Sequence, residues 1–245
     1  AGEDLDEELR GYGLKAVWPE HLKAADLFAS LVRARENFLG SYKTFLWSDL
    51  VQHLGPDDML IALNWAASES ASHDDLSSMY KVGDEILRKA LRYLEVSGVL
   101  MAFAQVALTR LKRFRDIFRN NSFHESITSS EIDDHARKLV LKAMISLIKH
   151  PAKEATYLTR SQLFPVKRDD VIWLTEEILL GECPLEMQQV AAELLIRLFN
   201  NSPVEPEYLD AITKACQVNS FLAGQFVWYV ELDSPTAQRW KADYQ

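Results

Sequence analysis

DEELRGYGLKAVW (residues 6–18) and DDHARKLVLKAMI (residues 133–145) align without a gap. Arg10 matches Arg137, Leu14 matches Leu141, Lys15 matches Lys142 and Ala16 matches Ala143. A third stretch, PLEMQQVAAELLIRLF (184–199), has the same texture, an acidic start followed by small and apolar residues. Three- and four-residue spacing puts those apolar groups on one face of a helix. Ala16, Ala143, Ala191 and Ala192 are small enough to let neighbouring helices approach, while Leu and Ile fill the ridge between them. A recurring amphipathic unit of this kind predicts a repeat array, although any amphipathic helix shares part of the pattern.

Outward from these stretches the chain reads as helix after helix, and none of it alternates with period two. Leu5, Leu9, Tyr12, Ala16 and Val17 form one expected inward stripe, ended by Pro19. Gly55-Pro56-Asp57-Asp58 reads as a helix start, with proline in the first turn and acids at the positive end of the dipole. Ser72 with Asp75, and Ser130 with Asp133, resemble capping boxes. Helices are expected at about 74–95, 99–119, 131–149, 169–180, 185–199, 206–217 and 219–230. Ser234-Pro235 would open a last one. Residues 120–130 (NNSFHESITSS) read as a loop. Residues 151–167 are the least regular, with room for one short helix.

Paired helices with short connections predict an all-α fold, a HEAT/armadillo-like α-solenoid of stacked helical hairpins. Its expected divisions are an N-terminal part of the array (1–150), an irregular connection (151–168) and C-terminal repeats (169–245) whose last helix is cut short. The chain opens inside a helix, so a piece of a longer protein is expected.

The 245 residues, 48% of them hydrophobic, suffice for a sizeable core. Nine glycines are too few for a turn-rich β fold. The longest apolar run, Val99 to Leu108, contains Gln105 and is too short for a membrane span. The acidic opening AGEDLDEELR is no signal peptide. Two cysteines make neither a disulfide framework nor a four-cysteine zinc site, and point to a reducing, cytoplasmic setting. A net charge of −9 disfavours nucleic acid as the partner.

Chemistry-bearing motifs are sparse. GxxxxGK[ST], GxGxxG, GxSxG and HExxH do not occur, so no catalytic and no cofactor-binding residue is assigned, and no membrane partner. His21, His53, His73, His124, His135 and His150 are scattered near expected helix ends. His124, Glu125, Asp133, Asp134 and His135 cluster around the 120–130 loop. They fit a metal-dependent hydrolase site, or, more simply, acids on a helix dipole. Cys183 precedes Pro184 at a helix start but has no evident histidine partner. Cys216 lies on an apolar face. Asp49, Asp57 and Asp58 bracket a helix cap. The six Trp residues fit packing between repeats.

One charge feature is uneven: Arg110, Lys112, Arg113, Arg115 and Arg119, with Asp116 the single acid among them. Cations near a helix C-terminus are favourable on dipole grounds alone. The sharper expectation is a partner-binding face, for a protein or a nucleic acid, with Lys112, Arg115 and Arg119 on one helical stripe.

Three segments resemble a known family: 9–32 (LRGYGLKAVWPEHLKAADLFASLV), 36–66, and 221–245 (FLAGQFVWYVELDSPTAQRWKADYQ). The features are Leu9-Arg10-Gly11-Tyr12, Leu14, Ala16 and Trp18-Pro19 at the start. At the end they are Glu231-Leu232-Asp233-Ser234-Pro235, Ala237, Arg239 and Ala242-Asp243-Tyr244. Together they look like the helical region C-terminal to the NTPase module of bacterial NACHT proteins, members of the STAND class of signalling ATPases. Residues 67–220 match in helical texture only. The resemblance implies a P-loop NTPase upstream, where ATP and Mg²⁺ would bind. It implies an antiphage defence role in the bacterial cytoplasm, with a sensor that recognises an invader component. This chain would be its inert scaffold or sensor part, monomeric alone. Its partner would be a phage protein or the rest of its own NACHT protein. The alternative is a general protein-interaction solenoid without a defence role.

Overall fold

The computed structural model describes residues 6–34, 40–71, 79–118, 132–199 and 206–218, with 223–224, 238 and 242. Among these the fold is all-α, with no strand. No helix among them is long and apolar enough to cross a membrane. The expected helix at 219–230, the loop at 120–130, the Ser72 cap and the Ser234-Pro235 start fall wholly or largely outside them. The chain divides into two compact units, 1–140 and 141–245. That division lies inside a helix, before the boundary expected at 150.

In unit 1, α1 (Glu7–Val17) is capped by Asp6, whose carboxylate accepts from the Glu8 and Leu9 amides. Its buried face is not the expected one. Leu9 and Tyr12 are 60% and 64% exposed, and Ala16 is exposed too. Gly11, Leu14 and Trp18 turn inward instead. The cause is Gly11, whose missing side chain lets the backbone of Ser41 and Tyr42 come into contact with α1. After α2 (Ala24–Ser30), α3 (Ser41–Thr44) runs into wide i→i+5 turns at Phe45–Asp49 and on into α4 (Leu50–Gln52). Gly55-Pro56 opens α5 (Pro56–Ala71) as expected, and the Gly55 amide donates to Asp58 Oδ2 at 2.9 Å. Then come α6 (Met79–Ala90), a tight turn at Leu91–Tyr93, and α7 (Val99–Phe114).

The helix α8 (Asp134–Leu147) straddles the division. Asp133, expected as the inner residue of a capping box, is itself its cap: Oδ1 accepts from His135 and Ala136 at 2.9 and 3.0 Å. Hydrogen bonds from Lys138, and then from Arg137, bring the Asp134 carboxyl down to about 2. Unit 2 continues with α9 (Pro151–Thr159), α10 (Asp170–Trp173), a second run of wide turns at Leu174–Leu179, α11 (Leu185–Phe199) and α12 (Pro206–Val218).

The two series of elements correspond step by step. A helix capped by aspartate comes first, Asp6 then Asp133. Lys15 on α1 reaches Asp49 on the wide turn at 3.2 Å, and Lys142 on α8 reaches Glu177 on the other wide turn at 3.4 Å. The next long helix starts Pro56-x-Asp58-Met59 in one series and Pro184-x-Glu186-Met187 in the other, with both methionines buried. The short helix packs on it each time, α2 on α5 and α9 on α11. The helix after it packs against the wide turn, α6 in one and α12 in the other.

Replacing Asp6 or Asp133 with Ala strips the first-turn amides of their acceptor. Each substitution is expected to lower stability by about 1 kcal/mol. Urea unfolding followed by circular dichroism checks this, and a loss below about 0.3 kcal/mol would rule out the capping role.

Candidate functional site

Of the five expected partner-facing cations, the four described ones do not form one exposed face. Arg110 is 2% exposed. Its guanidinium pairs with Asp84 on α6, donates from Nε to Ser70 Oγ on α5 at 3.0 Å, and donates to the Ile117 carbonyl at 3.0 Å. α5, α6 and α7 pack together, so this face of α7 is interior. Gly83 leaves the room the guanidinium occupies, since a Cβ there would collide with it. Arg113 is half-buried and donates to the Ser70 carbonyl at 2.9 Å. Lys112 and Arg115 are exposed. They share no continuing helix, because α7 stops at Phe114 and Arg115 is left-handed at φ 63°. Arg119 lies outside the described residues.

Histidines 21, 53, 135 and 150 are exposed. His124 and Glu125 of the expected cluster lie outside the described residues. Among the described ones, no group of three His, Cys, Asp or Glu side chains is placed to hold a metal ion. Cys216 is 4% exposed, and burial pushes its thiol up to about 12. The Cys183 thiol is half-buried and donates to the Glu177 carbonyl at 3.4 Å. A thiol-reactive disulfide reagent is therefore expected to modify Cys183 promptly in the folded chain and Cys216 only after unfolding. Prompt reaction of both would contradict the burial of Cys216.

Unit 1 carries a cleft of about 820 Å³. It is lined by Trp47 and Ser48 of the wide turns and by Val51 of α4. The end of α6 and its tight turn line it too, with Arg88, Lys89 and Arg92. Ile132, Asp133 and Ala136 close it. The wide turns decide where Trp47 sits, since an added residue per turn rotates the side chains that follow; such turns recur at functional sites. The Trp47 ring carries Lys81 Nζ at 4.1 Å and Lys43 Nζ at 5.6 Å from its centroid. Its Nε1–H is buried without an acceptor.

The cations of the cleft differ in what holds them. Lys89 Nζ donates to the Val51 and Gln52 carbonyls at 2.7 and 2.5 Å, closing the end of α4. Desolvation, and then the neighbouring positive charge of Arg92, lower its pKa, against an opposing effect of Asp58. Arg88 sits over the Phe118 ring at 4.6 Å and near Glu85 at 3.7 Å. Arg92 is exposed and makes no ion pair among the described residues. Sequence reasoning missed this site because the denser run at 110–119 drew attention first. The legible trace was Arg88 in the last turn of α6 and Arg92 four residues on, in the tight turn that follows.

Compared with known proteins, the chain matches no family model, no curated protein and no solved structure.

Proposed function

We propose that this chain is a non-enzymatic, helical-repeat sensor or scaffold region of a bacterial NACHT-type STAND NTPase, built as a HEAT/armadillo-like solenoid. The observation that carries the repeat reading is the second occurrence of the same element series. It includes the lysine–carboxylate pair at the wide turn, Lys15–Asp49 and Lys142–Glu177. The NACHT assignment is supported by the resemblance of segments 9–32, 36–66 and 221–245.

Stacked helical hairpins contact chiefly their sequence neighbours and leave long surfaces open to partners. A partner that binds one arrangement of such an array better than another shifts the population toward it, by no more than that difference in affinity. In the proposed parent, ATP and Mg²⁺ belong to an NTPase module before Ala1. The partner is a phage protein or the rest of the parent chain, in the bacterial cytoplasm.

The test is capture of partners on this chain in bacteria with and without phage infection, read by mass spectrometry. One phage protein enriched only after infection is the expected result. Host proteins alone would move the assignment to a general interaction scaffold. A parent gene without a P-loop module upstream would remove the NACHT reading altogether.

A further inference from the structure

We propose that the Trp47–Arg92 cleft of unit 1 is a docking site for a short linear acidic peptide that carries an apolar side chain. This rests on reading the chain as a protein-binding region, and is independent of a NACHT parent.

The argument is charge complementarity on an apolar floor. The whole chain carries −9, yet three cations, Arg88, Lys89 and Arg92, line this cleft, and Lys81 caps the indole beside it. The two carboxylates among the lining residues are committed locally. Glu85 faces Arg88 at 3.7 Å, and Asp133 accepts the α8 amides at 2.9 and 3.0 Å. Arg92 is left exposed, next to the positive Lys89, with no carboxylate partner among the described residues. A carboxylate brought to Arg92 relieves that like-charge contact and gains a charge-assisted hydrogen bond.

The rest of the lining selects the kind of anion. Val51, Leu91, Leu94, Ile132 and Ala136 supply apolar surface that a nucleic-acid backbone does not use, whereas a Leu or Phe beside a Glu does. A long polyanion would also meet the negative field of the chain as a whole. A peptide of a few residues meets mainly the cleft.

The experiment is selection from a random-peptide display library on the complete 245-residue chain. It is followed by fluorescence polarisation of the best labelled peptide on wild type, Arg92→Glu and Lys112→Glu. Both side chains are exposed, and unchanged thermal melting verifies that each variant folds. The expected outcome is enrichment of peptides that pair Asp or Glu with an apolar residue. Their affinity should fall about tenfold or more in Arg92→Glu, the size of one charge-assisted hydrogen bond, and stay within about twofold in Lys112→Glu, an exposed cation on α7 that does not line the cleft. No enrichment, enrichment of basic peptides, or equal binding to Arg92→Glu would overturn the proposal. So would a labelled oligouridylate that binds while acidic peptides do not. None of these results bears on the phage-dependent capture that tests the parent protein.

Discussion

Asp84→Ala is expected to destabilise the protein by about 3–5 kcal/mol, the largest effect of any single substitution considered, because it leaves a buried guanidinium without its counter-charge. Asp84 and Arg110 are each 2% exposed. Removing the carboxylate leaves Arg110 with Ser70 Oγ and the Ile117 carbonyl, two neutral acceptors, for a full positive charge. Asp84→Asn keeps a hydrogen-bond acceptor without the charge and should fall between the two. The double substitution Asp84→Ala with Arg110→Met removes both charges and should recover most of the loss, since an apolar replacement of a buried pair is often neutral. Urea-unfolding midpoints of the four proteins decide the matter. A loss below about 1 kcal/mol in Asp84→Ala would mean that water reaches the pair and screens it.

Gly11→Ala and Gly13→Ala, two residues apart on one helix, are expected to shift stability in opposite directions. At Gly11 a Cβ would collide with the backbone of Ser41 and Tyr42 and with Ser41 Oγ. Backbone cannot swing aside as a flexible side chain can, so α1 must lift off α3. The cost should reach the upper part of the overpacking range, about 3 kcal/mol. Ser41 Oγ also donates to the Glu8 carbonyl at 2.6 Å, a contact that the same displacement breaks. At Gly13 nothing lies within 4 Å of the added methyl. There the change removes backbone freedom from the unfolded chain and should stabilise by about 0.5–1 kcal/mol. Thermal melts of the two variants beside wild type test both signs. Equal and small shifts would mean that α1 is not held against α3.

What was legible in the residues is what short-range chemistry decides. Gly55-Pro56 marks the start of α5 because proline suits a first turn and Asp58 reaches back to the Gly55 amide. The expected helix at 185–199 is α11 as it stands, and the expected one at 206–217 is α12 within a residue. The expected helix at 99–119 proved shorter. Cations in its last turn suit the dipole, but nothing local announces that Arg115 turns left-handed. The candidate site was less legible still. Counting charges at 110–119 treats every arginine as a surface group, while the partner that buries Arg110 lies on another helix, 26 residues earlier in the chain.

The amino-acid sequence by itself determined the all-helical character of the described chain, most helix positions and the proline-led start of α5. These depend on interactions within about four residues, which the order of residues states directly. Only the tertiary structure decided that α1 buries Gly11, Leu14 and Trp18 rather than Leu9 and Tyr12. It alone decided that Arg110 is a core group and that Trp47, on the wide turn, lines one cleft with Arg88 and Arg92. Each of these rests on which helices come into contact. A periodic pattern offers several faces of similar apolarity, and packing against a distant segment selects one of them.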